Sequence, residues 1–92
     1  PPPAPGMERV LGQPAEVAIG LLGEPTLDRR EGMARQLQFA GACVLDIFYV
    51  QKMGQAPLAV HTEARLPNGR DVQPAECMQS LLKARAMVRP QG

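Results

Sequence analysis

Ninety-two residues, with ten Lys and Arg against nine Asp and Glu, a formal charge of +1, no Trp and 3% aromatics, bound one small domain and exclude several classes of function. The balanced charge gives no field for nucleic acid or an anionic membrane surface, and so few aromatics leave little for base stacking or a sugar-binding platform. At this size burial alone leaves stability marginal, so a covalent or partner-derived supplement is expected.

The chain opens on Pro-Pro-Pro-Ala-Pro-Gly, which cannot form a helix and reads as an extended tether over residues 1–9. The folded unit is assigned to residues 10–89 and a tail to residues 90–92. A first residue of Pro1 rather than methionine implies an upstream segment, either removed or outside this sequence. Residues 7–11 are expected as an extended lead-in that places Val10 or Leu11 on the core. A short helix follows over residues 14–22: Pro14 suits the first helical position, Glu16 the first turn, and Val17, Leu21 and Leu22 recur at helical spacing. Gly23 supplies the stop and Pro25 prevents continuation. Gly20 inside this helix costs about 1 kcal/mol against alanine, for which close packing on a sheet is the expected reason.

Residues 26–31 read as a short polar strand or a loop, turning at Glu31-Gly32 with Asp28, Arg29, Arg30 and Glu31 solvated. A basic anion site at Arg29 and Arg30 is the functional alternative, opposed by the adjacent acids. From Met33 the period becomes two. Arg35, Leu37 and Phe39 alternate with Ala34, Gln36 and Gln38, as in a strand with one wet face. Gly41-Ala42 permits a reversal into the central strand, residues 43–50, where Cys43, Leu45, Ile47 and Tyr49 share one face. The stretch 37–50 holds both phenylalanines and the only tyrosine, so the core must be built against it. Asp46 falls on the opposite face between Val44 and Phe48, where partial exposure or a salt bridge is expected over catalysis.

Gly54 and Pro57 punctuate the next turn. Residues 58–66 form a third strand, with Leu58, Val60, Thr62, Ala64 and Leu66 expected on one face and Ala59, His61, Glu63 and Arg65 on the other. His61, the only histidine, is then a surface residue rather than a general base, and no second histidine exists to help it hold a metal. Pro67-Asn68-Gly69 is a turn. Pro74 near the first position and Glu76 in the first turn open a C-terminal helix over residues 74–88. Its apolar stripe is Cys77, Leu81, Ala84 and Val88, widened by Met78 and Leu82. Lys83, Arg85 and Arg89 complement the helix dipole and Pro90 stops it.

Cys43 and Cys77 are far apart with no C-x-x-C spacing, which leaves no zinc ribbon and no thioredoxin-type motif. They are either a disulfide or two buried thiols, and the small core favours the disulfide, which would pin the last helix to the sheet. A bridge closing about 35 residues stabilises by roughly 3–4 kcal/mol on the chain-entropy estimate and implies an oxidising compartment. The architecture expected is α+β in two layers: a three-stranded antiparallel meander with a short N-terminal helix and a C-terminal helix packed on it. No apolar run approaches the ~18 residues that span a bilayer.

The order of Leu11-Gly12-Gln13-Pro14-Ala15-Glu16-Val17, Leu22-Gly23-Glu24-Pro25, Glu31-Gly32 and Leu37-Gln38-Phe39 resembles the small periplasmic lipoprotein domains of the SmpA/OmlA/BamE-like superfamily. The similarity runs over residues 10–82. It lies in a glycine before a short helix, a Leu-Gly-x-Pro exit, a turn, and a strand that in that family carries an aromatic-x-aromatic pair. The strand Cys43-x-Leu45-x-Ile47-Phe48 and the helix near Cys77 look like a disulfide-bearing variant found in alphaproteobacterial lipoproteins. Leu37 stands where that family has a tryptophan, and its paired N-terminal helices are matched by one. The resemblance implies a periplasmic location, export with an upstream signal, and a lipidated cysteine before the tether as the only link to a membrane.

Three functions are weighed. The first is a noncatalytic interaction module, an accessory or stabilising subunit of a larger envelope complex. It needs no cofactor, no metal and no catalytic residue, and it meets a protein partner through an exposed sheet edge or through a face carrying Val44, Phe48, Val50 and Met53. The second is a thiol-disulfide active protein cycling Cys43 and Cys77 with His61 as proton donor, which requires an exposed low-pKa thiol. The third is a small inhibitor or ligand-binding domain, for which the residues identify no pocket.

Overall fold

A computed structural model describes residues 6–88 of the chain. The proline-rich segment 1–5 and residues 89–92, with Arg89 and Pro90, lie outside the described residues. A single 3₁₀ turn, Met7–Arg9, leads into α1 (Ala15–Leu22), then β1 (Leu27–Glu31), β2 (Ala34–Ala40), β3 (Val44–Val50), β4 (Leu58–Arg65) and α2 (Pro74–Val88). The strands form one antiparallel sheet in the order β1-β2-β3-β4, a meander with each strand beside its chain neighbour. Both helices lie on one face, and the other is uncovered among the described residues.

The α+β class holds, with four strands in place of three. The strand absent from the expected meander is β1, whose residues are exposed at every position. With no face buried it has no apolar alternation, so periodicity cannot separate it from a loop. Its pairing is set instead by Gly32, whose φ of 59° at the first central position of a two-residue connection, with Met33 at negative φ, makes a II′-type turn. That turn aligns Glu31 with Ala34 and carries the register to Leu27 opposite Gln38.

Leu37, Phe39, Leu45, Ile47 and Tyr49 of β2 and β3 pack under the helices with Ala15 and Ala18 of α1 and Cys77 and Met78 of α2. Met7 and Val10 are also buried. The expected extended lead-in is therefore a 3₁₀ turn, and the packed region reaches into the stretch assigned to the tether. Pro14 occupies the N-cap position of α1, one residue before the first helical position expected for it, and Gly23 at φ 87° ends the helix by donating its N–H to the Ile19 carbonyl at 2.8 Å. Gly20 does not pack closely on the sheet: it is exposed, and a Cβ there would meet nothing within 4 Å.

Two face assignments are corrected. The β3–β4 register slips between Phe48 and Tyr49, where Phe48 faces His61 but Tyr49 faces Ala59. This bulge places an extra residue, Val60, in β4 and reverses the alternation. Ala59 is buried and Val60 exposed, while Thr62 and Ala64 keep the inward side. On α2, Cys77 and Met78 are buried and Leu81 and Leu82 partly so, but Ala84 and Val88 are exposed. The last helical turns run past the edge of the core, so the stripe continues where there is nothing to cover it.

Cys43 and Cys77 are joined by a disulfide with Cα atoms 5.8 Å apart. Cys43 stands just before β3 and Cys77 in the first turn of α2, so the bond ties the start of the helix to the sheet from below. Both cysteines are buried.

Candidate interaction face

The uncovered face is built by alternation. Leu27, Arg29 and Glu31 of β1, Gln36 and Gln38 of β2, Val44, Asp46, Phe48 and Val50 of β3, and His61, Glu63 and Arg65 of β4 fall on it by register. At its centre Asp46 is only 3% exposed. The expectation of a salt bridge for Asp46 is met, and that of partial exposure is not.

Three side chains from both neighbouring strands close over this carboxylate. Gln36 and Gln38 each donate from Nε2 to Oδ1 at 3.0 Å, and Arg65 donates from Nη1 to Oδ2 at 2.6 Å. Gln38 reaches it from the position directly opposite on β2, Gln36 diagonally from two residues back on the same strand, and Arg65 diagonally from β4. A carboxylate removed from water is tolerated when its oxygens are occupied by such donors. Both oxygens are committed, so the group is held as a structural hub rather than presented as a base.

Around the hub lie the residues singled out for contact. Phe48 is half-buried and stacks on His61, ring centroids 5.8 Å apart at 29°. His61 lies 3.2 Å from Glu63, both more than half exposed, as expected of a surface histidine. A shallow cleft of about 310 Å³ opens beside Phe48, lined by Arg29, Gln36 and Val50 among others. Val44 and Phe48 are not contiguous, since Asp46 and its donors stand between them. Met53 is 95% exposed in the loop beyond β3.

The strand alternation sends Arg29 and Arg30 to opposite faces, which removes the two-arginine anion site. Arg29 donates to Gln36 Oε1 at 3.0 Å on the open face. On the helix side Asp28 accepts two bonds from Arg35, at 2.9 and 2.8 Å. The Arg35 hydrogen bonds hold the Asp28 carboxyl below the usual range, and the same bonds raise Arg35. Tyr49 is also on the helix side, and its buried hydroxyl has no hydrogen-bond partner among the described residues. Burial pushes this phenol up to about 12. Asp46's donors were the part that single-strand alternation could not reveal. A cross-strand polar trio needs the register between strands, and the clue available in the sequence was only Gln-x-Gln on β2.

No group of three or more metal-binding side chains occurs among the described residues, and no helix there is long and apolar enough to cross a membrane. Comparison of the chain with known protein families, with curated proteins and with solved structures finds no match.

Proposed function

We propose that this domain is a noncatalytic interaction module of the cell envelope, an accessory or stabilising subunit that meets a protein partner through the open sheet face. The observation that carries the reading is Asp46. Among the described residues it is the one buried charge on that face, and both its oxygens are occupied from within the chain. A face whose polar groups satisfy one another before any ligand arrives is suited to contact rather than to proton transfer. The cleft beside Phe48 fits an apolar side chain, and the paired charges around it suit a polar rim.

The disulfide supports an oxidising compartment, and the resemblance to SmpA/OmlA/BamE-like domains supports the periplasm, with attachment to a membrane through an upstream lipidated cysteine. The thiol-active reading has less support. Both cysteines are buried, and His61 lies on the face of the sheet opposite the bridge.

The test is affinity capture from an envelope extract with the full chain, compared with Phe48→Asp on the open face and Met87→Asp on the exposed end of α2. The native chain and Met87→Asp are expected to recover the same protein in near-stoichiometric amount, and Phe48→Asp to recover at least tenfold less. Equal recovery by Phe48→Asp, or recovery of nothing by the native chain, would sink the proposal.

A further inference from the structure

The two edges of the sheet end differently. β4 is closed by the chain itself: Gly12 donates to the Ala59 carbonyl at 2.8 Å, Ala59 donates to Gln13 at 3.0 Å, and Val72 donates to the Ala64 carbonyl at 3.2 Å. β1 has no such cover among the described residues. Its two-residue turn makes Glu31 and Ala34 a hydrogen-bonded pair. Alternation then turns the Arg29 backbone toward Gln36, and that of Asp28 and Arg30 away from the sheet. The N–H and C=O of Asp28 and Arg30 are thus a free edge of regular spacing, the kind that accepts another strand.

The side chains choose the strand. Only outward-turned residues can form the hydrogen-bonded pairs of a new antiparallel ladder. Self-pairing centred on Asp28 would oppose Asp28 to its own copy, and centring on Arg30 would oppose two arginines. Centring on Arg29 sets Asp28 against Arg30 twice, matches all four free backbone groups, and places opposite charges side by side. Arg30 has no such partner among the described residues: it stands directly across from Arg35, and the ion pair to Asp28 found there comes from Arg35. On the open face this register sets the two Arg29 side chains directly opposite, one like-charge pair set against the two Asp28–Arg30 pairs. Each keeps its bond to Gln36 and has Glu31 of the other copy one diagonal step away.

We infer that β1 pairs antiparallel with β1 of a second copy of this chain, centred on Arg29, so that two sheets join edge to edge through Asp28 and Arg30. This use of the edge is independent of the proposed use of the open face. A strand-to-strand contact of this length buries less than the roughly 1,200 Å² of a stable interface, so the association is weak and reversible.

Sedimentation equilibrium from about 10 µM to about 1 mM tests it with charge reversals. Arg30→Asp sets Asp28 against an aspartate, and Asp28→Arg sets an arginine against Arg30, so each variant alone is expected to associate at least tenfold more weakly than the native chain. An equimolar mixture of the two restores both opposite-charge pairs and is expected to associate at least as well as the native chain. A second measurement uses Arg29→Cys, the only free thiol in a chain whose own cysteines are bridged. Across the axis the two positions form a non-hydrogen-bonded pair with Cα atoms about 4.5 Å apart, within disulfide reach. Mild oxidation should link Arg29→Cys at least tenfold faster than Met53→Cys, a site 95% exposed and away from the axis. Association unaffected by the reversals, a mixture no stronger than its components, or equal linking rates would overturn the inference.

Discussion

The face of the sheet under the helices and the face open to solvent are made by the same strands in the same register, yet they are held by different physics. Under the helices Leu37, Leu45 and Ile47 are fully buried and a covalent bond from Cys43 to Cys77 ties the cover down. On the open side no layer covers the sheet among the described residues, and order comes from one carboxylate that draws Gln36, Gln38 and Arg65 over itself. The covered face gains from area, at about 25 cal/mol per Å² of apolar surface. The open face gains from directed bonds that set side-chain positions without closing the surface. The difference teaches which face can be used: the covered face is spent on stability, whereas the open one is ordered and still accessible.

The largest expected effect breaks the covered face. Replacing both cysteines, Cys43→Ala with Cys77→Ala, releases a constraint spanning 34 residues and should cost about 3–4 kcal/mol. Denaturant unfolding of the native and double-variant chains measures it. A loss below about 1 kcal/mol would mean that packing of Cys77 and Met78, not the bond, holds α2 to the sheet. The open face should be nearly unaffected in its local order, because none of Asp46's donors comes from a helix.

The second effect breaks the open face. Asp46→Ala removes the hub and leaves two amides and a guanidinium without their acceptor, so it should cost about 2–3 kcal/mol. Asp46→Asn keeps the shape and should cost about 1 kcal/mol, chiefly through the Arg65 pair. Phe48→Ala, on the same face but not part of the network, should cost less than Asp46→Ala despite the larger side chain. The order of the three in thermal or denaturant unfolding is the check. Phe48→Ala as the most damaging would show that apolar packing organises this face as well.

Much of the covered face was legible in the sequence because burial leaves a pattern. Leu37 and Phe39 alternate with Gln36 and Gln38, Cys43, Leu45, Ile47 and Tyr49 recur at every second position of an apolar run broken by Asp46, and the helix signals at Pro14, Gly23 and Pro74 are local. The disulfide followed from domain size and from placing Cys43 and Cys77 on inward sides. What could not be read depends on pairing between strands. β1 buries neither face, so it leaves no periodic trace. The bulge at Val60 reverses alternation without any glycine or proline to mark it. The Asp46 trio exists only once the register brings Gln36, Gln38 and Arg65 to one point, and the exposed end of α2 depends on where the sheet stops.

The smallest effect sharpens the contrast between faces, because it tests a buried polar group on the side held mainly by apolar packing. Tyr49 is 1% exposed, and its hydroxyl, unlike the Asp46 carboxylate, has no partner among the described residues. A buried polar group without a hydrogen bond costs free energy, so Tyr49→Phe should stabilise the domain by about 1 kcal/mol at neutral pH. The pH dependence gives an independent reading of the same group. Its folded value is raised from 10.0 to about 12 by burial, so the unfolded chain loses the phenol proton first. The contribution from the neutral phenol is intact below pH 10 and is lost as pH rises toward 12, with a limiting slope of about 1.4 kcal/mol per pH unit. Tyr49→Phe should flatten that alkaline limb while leaving the acid side unchanged. A variant less stable than the native chain, with the alkaline slope retained, would show that the hydroxyl is satisfied and that polar order on the helix side extends beyond the exposed Asp28–Arg35 pair into the core.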